Sequence, residues 1–359
     1  MIVSQYRMSH LHHPITSQVN HACKTSCTAP RRRYLAPMIQ ITPFDGMTPG
    51  LKTGQRLVIH AGETWYDAIA AGKFDFFPKL AQALDLPATL IRAEKGASSR
   101  LLAMDRHRHV VIGPRSPIGP GIWHAHPGYL RGFWYLDPLG VNMHSSLTEA
   151  RFDPASIDPK QARRFWNGVT GWHLPRNLSK FPQEPRTADL PPARTAIFLQ
   201  DIEHYARPVH WIDSLTMIRT AARQGPTYVK LHPAQTAETA AAVRDLADQM
   251  PQITLSTASI HDLAAAAEVV VTQNSAAGFE ALMQKKPVIT CARADYHHAT
   301  VQARGAADLA RAIATAPARL AKFPYDRYLF WHHGQHLLEP GKDEFAERVR
   351  ARLLPQNQG

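Results

Sequence analysis

Between Thr195 and Cys291 the sequence alternates short apolar runs with amphipathic stretches of helical length, nine segments in succession. Thr195–Gln200, Thr227–His232, Ile253–Ser256, Glu268–Thr272 and Pro287–Cys291 read as strands. Trp211–Gln224, Thr236–Met250, Ile260–Ala267 and Ala276–Gln284 read as the helices between them. A β-branched run such as Val269–Val271 has no polar alternation, so such a strand is buried on both faces. Strands of that kind, each followed by a helix, predict a doubly wound parallel sheet.

The 359 residues leave room for a second domain. Upstream, Arg56–His60, Ala88–Arg92 and His109–Gly113 read as buried strands, with Thr64–Gly72 and Phe77–Leu84 as helices between them. The boundary falls at Lys180–Arg194, where Pro182, Pro185, Pro191 and Pro192 favour an extended linker. The expected organisation is therefore a tail over 1–37, an α/β domain over 38–180, a linker over 181–194, and a second α/β domain over 195–325. A strap and helix over 326–359 complete the chain. Two such domains enclose a cleft, and ligands of these sheets bind beyond the carboxyl ends of the strands.

Lys and Arg number 41 against 29 for Asp and Glu, a net charge of +12. Arg7, Lys24, Arg31, Arg32 and Arg33 lie in the first 37 residues with no acid among them, which reads as a disordered tail or upstream extension. The remaining excess is spread out, without the clustered cations and interleaved aromatics of a nucleic-acid binder. It suits a polyanionic small ligand or an anionic membrane leaflet equally well. His21, Cys23 and Cys27 fall short of the four ligands of a structural zinc site, and with Cys291 three cysteines make no disulfide framework. No apolar stretch approaches the ~20 residues needed to cross a membrane. The expected location is the cytoplasm.

Four segments carry the candidate chemistry. In Tyr228–Pro233, Lys230 and His232 share a strand face, where they could bind a phosphate oxygen and protonate a leaving phosphate. Val271–Leu282 runs from a strand through Gln273, Asn274, Ser275 and Ala276 into a helix whose first turn offers free N–H groups to an anion. Gly278 permits close approach there, and Glu280 could bond a ribose. Gln200 and Asp201 end the first strand of this half at the same edge. Trp123–Asp137 packs aromatic rings, His124, His126, Arg131 and Asp137 into one stretch, rich for a loop that merely connects and of a composition suited to nucleotide-sugar clefts. His124 and His126 could ligate a metal only with help from Asp137 or His144, so acid/base or anion-binding work is the better expectation. Tyr325–His333 reads as a packing strap across the domain seam.

Gly128-Tyr129-Leu130-Arg131, Gly140-Val141-Asn142 and Ser145-Ser146 together resemble bacterial capsule polysaccharide biosynthesis proteins of the Kdo-transferase type. Lys230-Leu231-His232-Pro233 and Asn274–Leu282 followed by Lys286-Pro287-Val288 are similar to two further elements of that family, and Asp295–His298 to a short loop. The resemblance implies a GT-B fold and a CMP-activated acidic sugar as donor, gripped by the His-Pro and Asn-Ser elements. It also implies transfer without metal or other cofactor to a lipid-linked or glycan acceptor, with peripheral contact at the inner membrane or capsule-export machinery. Where those proteins place an acid before Gly-Tyr-Leu-Arg, this chain has His126 and Pro127. Asp137 is then the nearest carboxylate, with His124 or His126 as acid/base, and Arg131 would pair with the sugar's carboxylate. A sugar-nucleotide epimerase or hydrolase on the same fold, or a silent binding protein of capsule export, remains the alternative.

Overall fold

In the computed structural model, residues 40–44, 54–93, 97–104, 106–113, 117–187 and 189–354 are described; the expectations for residues 1–37 lie outside them. The first sheet contains β1 (Ile41–Pro43), β2 (Leu57–Ala61), β3 (Ala88–Arg92), β4 (Arg108–Ile112), β5 (Ile122–Pro127) and β6 (Trp134–Asp137) in the order β1-β3-β2-β4-β5-β6. All its pairings are parallel except β5 with β6. The second sheet contains β7 (Ala193–Phe198), β8 (Thr227–Lys230), β9 (Ile253–Leu255), β10 (Ala267–Thr272), β11 (Val288–Thr290) and β12 (Val301–Gln302), in the order β12-β11-β10-β7-β8-β9. It is parallel throughout.

Each sheet is buried as the apolar runs require: β2, β6 and β11 have no exposed residue. The helices of the second domain start at caps that the sequence supplies. Asp213, Thr236, Ser259 and Ser275 each accept a backbone N–H from the first turn of Ser214–Ala222, Ala237–Gln249, Ile260–Ala266 and Ala276–Leu282, respectively. In this sheet the chain winds outward from β7 to β8 and β9, then returns to β10 on the other side. The β7/β10 junction is therefore the switch point at which such folds open a ligand crevice.

The domains share more core than a simple linker between two bodies would allow. The helix Pro159–His173 belongs to the expected first domain, yet its Trp166 and Val169 join one apolar cluster with Phe279, Val288 and Trp331 of the second half. The C-terminal strap runs through a helix, Tyr325–Leu329, and a π-helical turn, Phe330–Gln335. Leu338 then pairs with Trp134 on β6, and helix Phe345–Leu353 buries Phe345, Val349 and Leu353 in the first domain's core. The chain thus crosses the seam a second time and ties both sheets together. The stretch around His124 and Gly128, expected as a rich loop, instead forms β5 and β6, with Pro127 at the strand terminus where its missing N–H is tolerated.

Candidate functional site

The cleft opens at the carboxyl ends of β7, β8 and β10, between the two sheets. Gln200, Lys230, His232, Pro233, Asn274, Ser275, Ala276 and Glu280 line it, together with Tyr129, Asn142 and Met143 of the first domain and Ser179–Gln183 of the linker. The linker is therefore a wall of the site rather than a spacer. It is fastened by Ile260 N–H donating to Gln183 Oε1 (3.1 Å), by the Arg186–Asp262 ion pair, and by Thr187 N–H donating to Asp262 Oδ2 (2.7 Å).

Lys230 Nζ donates to the carbonyls of Thr257 (2.8 Å) and Ala258 (2.6 Å). An ammonium has three donors, so one N–H is left for a ligand. Burial lowers its pKa from the usual lysine value. His232 Nδ1 accepts the Ala234 N–H (3.2 Å), and burial, with Lys180 adding to it against the opposing pull of Asp201, brings its pKa down to about 4. At neutral pH the ring is uncharged and carries its proton on Nε2, a donor in the cleft wall.

Lys180 and Glu280 form a buried pair. Burial raises Glu280 to about 8 despite hydrogen bonds from Ser179 Oγ (2.9 Å) and Lys180 N–H (3.4 Å) to Oε1. Burial brings Lys180 to about 8, with Glu280 pulling the other way. Desolvation favours the neutral form of each partner, while their mutual attraction favours the ion pair. Glu280 Oε2 has no hydrogen-bond partner and lies 3.7 Å from His261 Nε2. Two further lining oxygens, Asn142 Oδ1 and Gln200 Oε1, are also buried and unpartnered. With two lysines and one carboxyl group in its lining, the cleft is positive and presents buried acceptor oxygens without a protein partner.

Asn274 and Ser275 line the cleft, but their side chains also hold the strand–helix turn. Asn274 Nδ2 donates to Arg293 O (2.9 Å), and Ser275 Oγ caps Ala277 N–H (3.3 Å). Gly278 allows the helix to approach the sheet rather than a ligand. A Cβ there would sit 2.6 Å from Thr272 Cγ2 and 3.0 Å from the Tyr296 hydroxyl, which donates to Ser275 O (2.8 Å). Gly278→Ala is expected to cost about 1–3 kcal/mol by overpacking, read as a lower denaturant midpoint; an unchanged midpoint would show that the turn yields without penalty.

Five candidates are placed elsewhere. Gln273 is fully buried and donates to Glu203 Oε1 (2.8 Å) and Ile212 O (3.1 Å), a structural role. Asp137 lies outside the lining, and its carboxylate accepts the N–H groups of Leu139 (2.8 Å), Gly140 (3.2 Å) and Ser146 (3.0 Å) and the Ser146 hydroxyl (2.6 Å). A carboxylate so occupied fixes the β6 turn; attack by it would first break those bonds. His124 is buried in β5 with its pKa lowered by burial. His126 lies behind the wall, edge-on to Trp65 and bonded to Pro127 O (2.9 Å), and burial, helped by Lys180, lowers it to about 3. It is no acid at neutral pH. Arg131 is exposed and does not line the cleft. Among the described residues no group of three or more His, Cys, Asp or Glu side chains could hold a metal ion.

Sequence reasoning missed two residues. Lys180 is a lone cation at a domain boundary, with no spacing to mark it. Asp295 is fully buried at the seam and accepts hydrogen bonds from Tyr129 (2.7 Å), Tyr135 (2.8 Å) and Ser145 (2.8 Å), with His332 Nε2 3.7 Å away. The only hint of it was that its loop and the Tyr129 and Ser145 segments all took part in the family resemblance. These elements meet at one interdomain junction beneath the cleft.

Two α/β domains facing a cleft at their switch-point edge define a protein of GT-B architecture. Residues 211–330, a third of the chain, match the family model described as capsule polysaccharide biosynthesis protein, and the matched segment contains Lys230–Pro233 and Asn274–Leu282. Among solved structures, the chain is similar to the β-Kdo 2,7-transferase of Thermosulfurimonas dismutans KpsC at 14% identity, covering 76% of this chain and 88% of that one with a TM-score of 0.48. The β-Kdo 2,4-transferase of the same organism's KpsC gives 16%, 73%, 89% and 0.46. UDP-GlcNAc 2-epimerase of Methanocaldococcus jannaschii gives 12%, 84%, 99% and 0.33. No curated protein matches.

Proposed function

We propose that the chain is a glycosyltransferase of capsular or surface polysaccharide synthesis that takes a Kdo-like acidic sugar from a CMP-activated donor to a lipid-linked or glycan acceptor. The observation that carries this reading is the convergence of Lys180, Lys230 and a neutral His232 on a cleft whose lining includes a single carboxyl group, one whose ionisation burial disfavours. A doubly anionic donor, with one phosphate and one sugar carboxylate, balances that charge. The donor is the substrate, and the reading assigns no cofactor.

Lys230 and the His232 Nε2–H hold the phosphate. As the bond from the anomeric carbon to the phosphate oxygen breaks, its electron pair passes to the leaving CMP, while an acceptor hydroxyl oxygen bonds to the anomeric carbon and its proton is taken up by the departing phosphate. Lys230 then meets the developing charge, and the gathering anion raises the affinity of His232 for a proton. Lys180, rather than Arg131 outside the lining, pairs with the sugar carboxylate. Glu280 bonds a ribose hydroxyl through its unpartnered oxygen. Gln200 Oε1 and Asn142 Oδ1 are acceptors without donors, so they favour the amino group of cytosine over the carbonyl that uracil presents in its place.

Titration calorimetry with CMP tests the reading. Lys230→Met removes a charge-assisted hydrogen bond worth about 1.5–3 kcal/mol and is expected to weaken CMP roughly 10- to 100-fold; His232→Ala should weaken it less. Equal affinity in both variants, or preference for UMP, would overturn the assignment.

A further inference from the structure

Phe181 stands in the linker between Lys180 and Pro182, half-buried in the cleft wall. Its ring meets the His232 imidazole at 5.5 Å between centroids and 90° between planes. Among the described residues it belongs to none of the apolar core clusters, so the fold does not call for an aromatic side chain here. The backbone on each side is nevertheless pinned by groups of the second domain. Lys180 N–H donates to Glu280 Oε1 (3.4 Å). The Phe181 carbonyl accepts from Gln183 Nε2 (3.1 Å), and the amide oxygen of Gln183 takes the Ile260 N–H (3.1 Å). Pro182 disfavours helical backbone at Phe181. The ring is thus carried by the second domain, on the same body as the strand that ends at His232.

The imidazole has one hydrogen bond that sets its orientation: Nδ1 accepts the Ala234 N–H, which leaves Nε2–H as the free donor of the neutral ring. Two charged groups act on it. Lys180 of the linker opposes a proton there, and Asp201, just past β7, favours one. Asp201 itself lies 3.4 Å from His204 Nδ1. Lys230 precedes His232 on the same strand face, with Glu184 of the linker acting on it in turn. Loss of water outweighs both charges on His232, and Phe181 is the aromatic body set against the ring. Perpendicular rings at this separation also attract each other, which fixes orientation as well as excluding water.

We propose that Phe181 is a positioning residue for His232: its ring holds the imidazole against the cleft wall and keeps water from it, so that Nε2–H stays aimed at the anion bound there. The role rests on the assignment of His232 to the donor phosphate.

Nitrogen-15 NMR of the full chain tests it, with the His232 signals assigned by their loss in His232→Gln and followed from pH 8 to pH 5.5. In the wild type the ring is expected to stay neutral across this range. Phe181→Ala should move its titration upward by about one pH unit or more, whereas Phe181→Tyr, which keeps the ring, should leave it in place. Titration calorimetry with CMP gives the second readout. At pH 7, Phe181→Ala should weaken CMP by up to about tenfold, the loss of one oriented hydrogen bond. At pH 5.5 the hydrated ring gains a proton and a charge-assisted bond, and most of the deficit relative to wild type should vanish. Lys180 and Glu280 both titrate at about 8, above this window, and the phosphate's own titration enters both proteins alike. Thermal melts confirm folding, and Phe181→Leu takes the place of the alanine variant should that one unfold. An unchanged His232 titration in the folded variant, or an equal shift in Phe181→Tyr, would overturn the role. So would a CMP deficit of the same size at both pH values. A wild type that binds no CMP while the ring shift still appears would overturn the donor reading and leave the Phe181–His232 pairing standing.

Discussion

Asp295→Ala is expected to cost about 3–5 kcal/mol of stability, because it strips the counter-acceptor from a fully buried polar cluster. The total stability of a typical folded protein is only about 5–15 kcal/mol, so this is the substitution most able to unfold the chain. The phenols of Tyr129 and Tyr135 and the Ser145 hydroxyl all point their protons at this carboxylate. Burial alone would raise the Asp295 pKa; the adjacent His332 and the two phenols hold it below the usual carboxylate value instead. Removing the acid leaves several donors without acceptors in a dry seam. Tyr135→Phe, which deletes one bond, should cost about 1–2 kcal/mol. Denaturant unfolding separates these cases, and a loss under about 1 kcal/mol for Asp295→Ala would mean that the seam relaxes around the gap.

Acidification is the second large effect. His60, His126 and His333 are buried, and burial takes the first two to about 3 and the third well below the ordinary value. In the unfolded chain they bind protons near pH 6.5. Stability is therefore whole above that pH and falls as pH drops toward 3, by up to about 1.4 kcal/mol per histidine per pH unit. At pH 5 His60 and His126 together amount to about 4 kcal/mol, and His333 adds to the loss in the same direction. Glu280 acts in the opposite sense: its raised pKa gives stability that is full below its unfolded value and fades as pH rises through about 8. One carboxyl does not offset three histidines below pH 6.5. A melting temperature that stays level between pH 7 and pH 5 would show that these rings already carry protons in the folded state.

From β7 to β11 the second domain was legible because most of its strands are buried on both faces, so continuous β-branched runs and capped helices mark those elements within a few residues; β12 and helix Ala306–Leu320, beyond Cys291, went unread. The second-domain side of the cleft followed from the same regularity: Gln200, Lys230, His232 and Asn274 stand at or just past strand ends, and strand ends face the crevice. Asp137, His124 and His126 lie outside the cleft lining for a physical reason. Histidines and a proline do not announce a strand, so β5 and β6 were taken for a loop free to present side chains, whereas pairing buries them. Lys180 was illegible because proline composition identifies a segment without regular structure but not the wall it packs against. Tyr129 and Ser145, which carry part of the family resemblance, join the domains at Asp295, although Tyr129 also touches the cleft.

A crystal structure with CMP bound tests the central claim most directly. The account places the phosphate within hydrogen-bonding distance of Lys230 Nζ and His232 Nε2, with the base near Gln200 and Asn142. A nucleotide seated outside the β7/β10 crevice, or one whose phosphate touches neither side chain, would contradict it.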